Sequence, residues 1–178
     1  TIGRGLKGNT LGVFGLGKQG LQVAGYAKAF GIKVIAWSHN LKKEDCEKIG
    51  VEYVNSADLF KMSDILTIHT RLSDRTIGYI DKDNIKLMKK GSVIVNTSRG
   101  PIIKEQDLID ALNNDVISCA ALDVYDQEPL PKDHILRRTK NLILTPHIGY
   151  VSEEAYGKFF NGYLKAIEAF LDQNPINQ

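Results

Sequence analysis

The stretch Leu11-Gly12-Val13-Phe14-Gly15-Leu16-Gly17-Lys18-Gln19-Gly20, followed by Leu21, Ala24, Ala27 and Phe30 at helical spacing, decides the fold. Leu11 to Gly15 reads as a buried strand, and from Lys18 the apolar residues take up a helical period. Gly31 is a natural stop for that helix. A lone GxGxxG is a weak signal, because glycine-rich turns are common. Here it sits between the first strand and the first helix, where a dinucleotide-binding loop has to sit. In that setting Gly15 allows the tight turn, Gly17 lets the backbone approach a pyrophosphate, and Gly20 lets helix pack on strand. Lys18 and Gln19 open the helix, whose N–H groups and positive dipole end suit phosphate oxygens. The competing reading is a turn that only happens to match.

Outward from this unit, short apolar runs alternate with helical patterns. Strands are expected at residues 33–37, 65–69, 92–96, 118–124 and 142–145. Helices are expected at 18–30, 44–49, 56–62, 81–88, 105–112 and 152–172. The last opens on Ser152, Glu153 and Glu154, a good cap and dipole match, and carries Ala155, Phe159, Tyr163, Ala166 and Phe170 along one face. Such alternation argues for βαβ units and a parallel sheet. The continuous apolarity of Val93-Ile94-Val95 suggests a sheet covered on both faces. The predicted fold is α/β, a doubly wound parallel sheet of the Rossmann type, with residues 1–178 as one dinucleotide-binding domain.

The 178 residues, 43% apolar and 25% charged, fit a soluble globular domain large enough to fold without disulfides. With 23 basic and 21 acidic residues the net charge is only +2, so nothing marks a nucleic-acid partner. No apolar run reaches membrane length, and the start Thr1-Ile2-Gly3-Arg4-Gly5 has no signal-peptide core. Cys46 and Cys119 have no metal-ligand spacing and are too few for a disulfide framework. A reduced, intracellular setting and no metal are expected.

In an NAD-binding unit, a carboxylate at the end of the second strand holds the adenosine ribose hydroxyls. Here the strand ends Ala36-Trp37-Ser38-His39-Asn40, with Lys42 and Lys43 behind. Ser38 takes the place of the carboxylate, removing a charge that would repel a 2′-phosphate. The cofactor expected is NAD or NADP, leaning to NADP on Ser38. A hydrogen-bonding loop without cofactor preference is the alternative. Polar groups also stand at the other strand exits: His69-Thr70, Thr97-Ser98-Arg99, Asp123 to Glu128, and His147 to Gly149. Singly, Arg99 reads as a solvated charge and His69 as a packing histidine. An Arg, a Glu and a His at three strand ends make a plausible carboxylate-binding and acid–base set.

Four motifs in this order resemble the D-isomer-specific 2-hydroxyacid dehydrogenase family, in its cofactor-binding domain. They are Gly15 to Gly20, Asn96-Thr97-Ser98-Arg99-Gly100-Pro101 with Asp107 to Leu112, Ala121 to Leu130, and Thr145-Pro146-His147-Ile148-Gly149. The resemblance implies that Arg99, Glu128 and His147 are catalytic and that Asp123 bonds the nicotinamide carboxamide. It implies cofactor contacts from Thr97 and Gly149 and a small 2-oxo or 2-hydroxy acid as substrate. A cytoplasmic homodimer is also implied. Arg99 would pair with the substrate carboxylate. His147 would move the proton, with Glu128 favouring its imidazolium form; Asp126 rivals Glu128 on residue type alone. Family members carry a further substrate-binding domain, expected to be missing from a chain that begins at Thr1. The alternative function is a non-catalytic NAD(H)-sensing module resembling the C-terminal-binding-protein corepressors.

Overall fold

The computed structural model describes residues 5–176; residues 1–4, part of the start read above for a leader segment, lie outside it. Seven strands form one sheet in the order β3-β2-β1-β4-β5-β6-β7, every pair parallel. These are β1 (Thr10–Phe14), β2 (Lys33–Trp37), β3 (Glu52–Tyr53), β4 (Ile65–Ile68), β5 (Val93–Asn96), β6 (Cys119–Leu122) and β7 (Leu142–Leu144). Helices α1 (Lys18–Ala29), α2 (Lys43–Glu47), α3 (Ser56–Met62), α4 (Lys82–Lys86) and α5 (Glu105–Asn113) stand between strands, and α6 (Glu153–Leu171) closes the chain. From β1 the chain builds outward to β2 and β3, then crosses back to place β4 on the other side of β1. That reversal is the switch point of a doubly wound fold, as the sequence predicts.

The chain divides into two compact units, Thr1–Pro146, which contains the sheet, and His147–Gln178, which contains α6. In the first unit, residues alternate between two cores. Leu11 and Val13 of β1 join Ala24, Ala27, Val34 and Ala36, whereas Phe14 joins Ile35, Leu66, Ile68 and Ile94. Both faces of β1 are therefore covered, which is why its sequence lacks polar alternation. The expectation for β5 is only half met. Ile94 is buried, but Val93 and Val95 are half-buried, because Ile85 of α4 and Leu108, Ile109 and Leu112 of α5 all pack on Ile94's side.

Helix α1 ends where Gly31 predicts, with the Ile32 amide donating back to the Ala27 carbonyl at 3.0 Å. Its buried stripe differs from the expected one. Gly20, Ala24 and Ala27 face the sheet, while Leu21 and Phe30 are exposed. Small residues at this spacing let the helix lie close on β1, and the larger apolar side chains are left outside. The second unit starts α6 on the predicted cap, with the Ala155 amide donating to Ser152 Oγ at 3.2 Å. Of its expected apolar face, Ala155 and Ala166 are half-buried and Phe159, Tyr163 and Phe170 are exposed.

Candidate active site

Strand register lines up the site. Trp37, Phe14, Ile68, Asn96, Leu122 and Leu144 are partners in one row across six strands. The residue after each is therefore the first to leave the sheet at its carboxyl edge: Ser38, Gly15, His69, Thr97, Asp123 and Thr145. Four residues expected at the cofactor thus fall in one line, set by pairing and not by proximity in sequence.

At the switch point the glycine loop is shaped for a close-lying anion. Gly15 has a φ of +102°, open to glycine with little strain, and its amide donates to the Trp37 carbonyl at 3.0 Å. A Cβ on Gly20 would run into the Gly15 carbonyl oxygen, so α1 could not close on the loop with any other residue there. At Gly17, by contrast, a Cβ would meet nothing within 4 Å. Gly17, Lys18 and Gln19 are exposed, no side chain caps α1, and its first turn holds no acid. An open backbone at an uncapped helix start is what a pyrophosphate needs, so the residues present fit a dinucleotide.

A cleft of about 460 Å³ extends from this loop, lined by Gln19, His69, Thr70, Arg71, Leu72, Thr97, Ser98 and Arg99. Arg99 is exposed there, and its Nη1 donates to the Ser98 carbonyl at 2.6 Å. Asn96, fully buried at the end of β5, shapes the turn: its Nδ2 donates to the Arg99 carbonyl at 2.9 Å and its Oδ1 accepts from the Ser98 amide at 3.0 Å. Ser98 Oγ donates to the Thr70 carbonyl at 2.5 Å, tying the β5 exit to the β4 exit. Gly100 ties it to the β6 exit, since a Cβ there would overlap the Tyr125 carbonyl group. Asn96 and Gly100 carry structural duties that motif reading assigns to no one. A buried asparagine ending an apolar strand was the available signal.

His69 accepts or donates a 2.9 Å hydrogen bond at Nε2 with Thr67 Oγ1, and burial pushes its pKa down, favouring the neutral ring. Asp123 is buried, and Thr145 Oγ1 donates to its Oδ1 at 2.5 Å. Glu128 Oε1 accepts from the Tyr125 amide at 2.9 Å, which turns this carboxylate back onto the end of β6. Asp126 is raised by burial and partly offset by His134, itself 3.6 Å from Glu105. The two rival carboxylates thus have different neighbours. Ser38 is half-buried at the end of β2 and does not line the cleft. His147 and Gly149 belong to the second unit, where His147 adopts a left-handed φ of +54° and its ring lies 6.0 Å from that of Tyr150. Among the described residues no group of three or more His, Cys, Asp or Glu could hold a metal, and no helix is long and apolar enough to cross a membrane.

With this geometry in hand, the family model of the D-isomer specific 2-hydroxyacid dehydrogenase NAD-binding domain matches residues 1–149. The chain belongs to the D-isomer specific 2-hydroxyacid dehydrogenase family. A glyoxylate reductase of Aeropyrum pernix is 42% identical over 153 residues, 86% of this chain and 46% of that protein. Other relatives are named hydroxypyruvate reductase and D-3-phosphoglycerate dehydrogenase. An oxidoreductase from Ralstonia solanacearum superposes with a TM-score of 0.92 at 41% identity, covering 98% of this chain and 52% of that one. An acyclic imino acid reductase in complex with NADPH and D-Arg superposes with a TM-score of 0.83 at 31% identity, covering 99% and 55%. The chain spans about half the length of the curated 2-hydroxyacid dehydrogenases it matches first.

Proposed function

We propose that this chain is the dinucleotide-binding part of an enzyme that moves hydride between a nicotinamide dinucleotide and a 2-oxo acid/D-2-hydroxy acid pair. The observation that carries the reading is the cleft at the switch point, which Gln19 of the glycine loop and Arg99 both line. The bound reduced nicotinamide supplies the hydride. Gly15, Gly17, Lys18, Gln19 and Gly20 hold the pyrophosphate at the start of α1. Asp123 offers its carboxylate to the carboxamide, oriented by Thr145, and Thr97 and Gly149 add contacts along the cofactor. Arg99 clamps the substrate carboxylate with two parallel hydrogen bonds and polarises the carbonyl. His147 delivers the proton to the developing alkoxide, with Glu128 as the carboxylate of the acid–base set.

The family supports NAD(H). The finer reading is that NADP(H) is accepted at least as well, because Ser38 brings no charge to the ribose. The NADPH complex of a related reductase supports that reading. A substrate-binding domain outside this chain, a homodimer and a cytoplasmic location complete the proposal, on family resemblance.

Two measurements test it. Calorimetry on the chain should detect binding of NADH or NADPH, and heat-silent titrations with both at millimolar concentration would remove the cofactor role. Steady-state assays of the full-length protein against a panel of 2-oxo acids should show nicotinamide oxidation. Dinucleotide binding with no turnover on any 2-oxo acid would leave only the sensing reading.

A further inference from the structure

Arg75 stands in the segment between β4 and α4, far in sequence from the end of β2, yet its Nη1 donates to Asn40 Oδ1 at 3.5 Å. Asn40 follows Ser38 by two residues, so the fold brings a guanidinium to the place where an adenosine ribose would sit. The turn that presents Arg75 is firmly built. Thr76 is buried, its Oγ1 donates to the Arg71 carbonyl at 2.8 Å, and its amide donates to the Ser73 carbonyl at 2.8 Å. Below the β2 exit, the rings of Trp37 and Tyr79 stack with centroids 5.3 Å apart, and His39 leans on both at 4.9 and 5.2 Å. The β2 exit and the Arg75 turn are thus both anchored.

The nearby lysines are less suited to the same task. Lys43 pairs with Glu47 along α2 at 3.6 Å, and Lys42 is exposed at the start of that helix. Among the described residues no carboxylate forms an ion pair with Arg75, and an asparagine oxygen occupies only one of the five N–H donors of a guanidinium.

We infer that Arg75 is the cofactor-specificity residue of this chain, binding the 2′-phosphate of NADP(H) across the gap to Ser38 and Asn40. The inference rests on the dinucleotide reading above and deepens it. A phosphate dianion at this position takes two parallel N–H donors from the guanidinium, and Ser38 Oγ donates a third hydrogen bond. The phosphate site is therefore assembled from two segments, one after β2 and one after β4.

Fluorescence titration of the chain with NADPH and NADH, before and after Arg75→Ala and Lys42→Ala, tests this without turnover. Arg75→Ala should weaken NADPH by about 10–100-fold, the loss of charge-assisted hydrogen bonds, and leave NADH within about twofold. Arg75→Lys should recover part of the NADPH affinity, and Lys42→Ala should leave both cofactors unchanged. Equal weakening of both cofactors by Arg75→Ala would overturn the inference, as would an unchanged NADPH affinity or a selective NADPH loss in Lys42→Ala. A wild-type chain that binds NADH and not NADPH overturns it while leaving the dinucleotide reading intact. One that binds neither overturns both.

Discussion

Arg99 reaches the cleft on a turn wired by Asn96, so its role is separable from stability by substitution. In the full-length protein, Arg99→Ala should raise KM for the 2-oxo acid and lower kcat. Arg99→Lys should recover little, because an ammonium cannot make the paired geometry. His147→Asn should lower turnover by ~10²–10⁴-fold and change the pH profile. Near-normal kcat with an unchanged profile would show that another group moves the proton. Ser38→Asp should weaken NADPH binding and restore charge-assisted bonds to the ribose hydroxyls of NADH, worth ~1.5–3 kcal/mol each. A wild-type NADH preference of about a hundredfold or more, the range of such bonds, would contradict the assigned role of Ser38. His69 makes a pH prediction. Its folded pKa lies below the ordinary 6.5, so the unfolded chain takes up the proton first and stability falls as pH drops below 6.5. Glu105 and Asp126, whose carboxyls are raised by burial, act in the opposite sense at lower pH. Thermal midpoints from pH 8 to 5 should therefore decline less in His69→Gln than in the wild type; parallel curves would rule His69 out as the source.

Two glycines in α1 make opposite predictions for one substitution. Gly20→Ala drives a methyl into the Gly15 carbonyl and should cost both stability and dinucleotide affinity. Gly25→Ala meets nothing within 4 Å on an exposed helical face and should stabilise by ~0.4–1 kcal/mol through the unfolded state. Denaturant midpoints of the two variants should move in opposite directions; a shared sign would mean that the loop is not closed as described. Elements with a strong local signal were legible in the sequence: β1 and α1 through the period change, α6 through its Ser152 cap. The two-residue β3 was not, because Glu52 and Tyr53 are a strand only by pairing with Ile35 and Ala36. The stripe of α1 was misjudged because spacing alone cannot tell large residues pointing outward from small ones packed inward. Within the candidate site, glycines and strand-end polar residues declared themselves by type and place. Arg75 did not, since nothing local marks a residue whose meaning comes from Asn40, thirty-five positions earlier.

At the scale of the molecule, the buried residues of both cores end at Leu136, with Leu142 and Leu144 packed against them. No residue of α6 is buried. A chain ending at Pro146 keeps every residue of both cores and should accordingly keep a cooperative thermal transition. It should also keep its dinucleotide affinity to the extent that the glycine loop supplies it. Loss of the transition would place part of the core beyond that boundary. The strand order carries a further consequence, for the birth of the protein. Of the seven strands β1 is made first, yet its β4 neighbour follows roughly fifty residues later, a delay of about 3–10 s at ribosomal speeds of ~5–20 residues per second. Throughout that interval Leu11, Val13 and Phe14 have one flank without a mate, and the nascent segment is a natural client for a holdase at the tunnel exit.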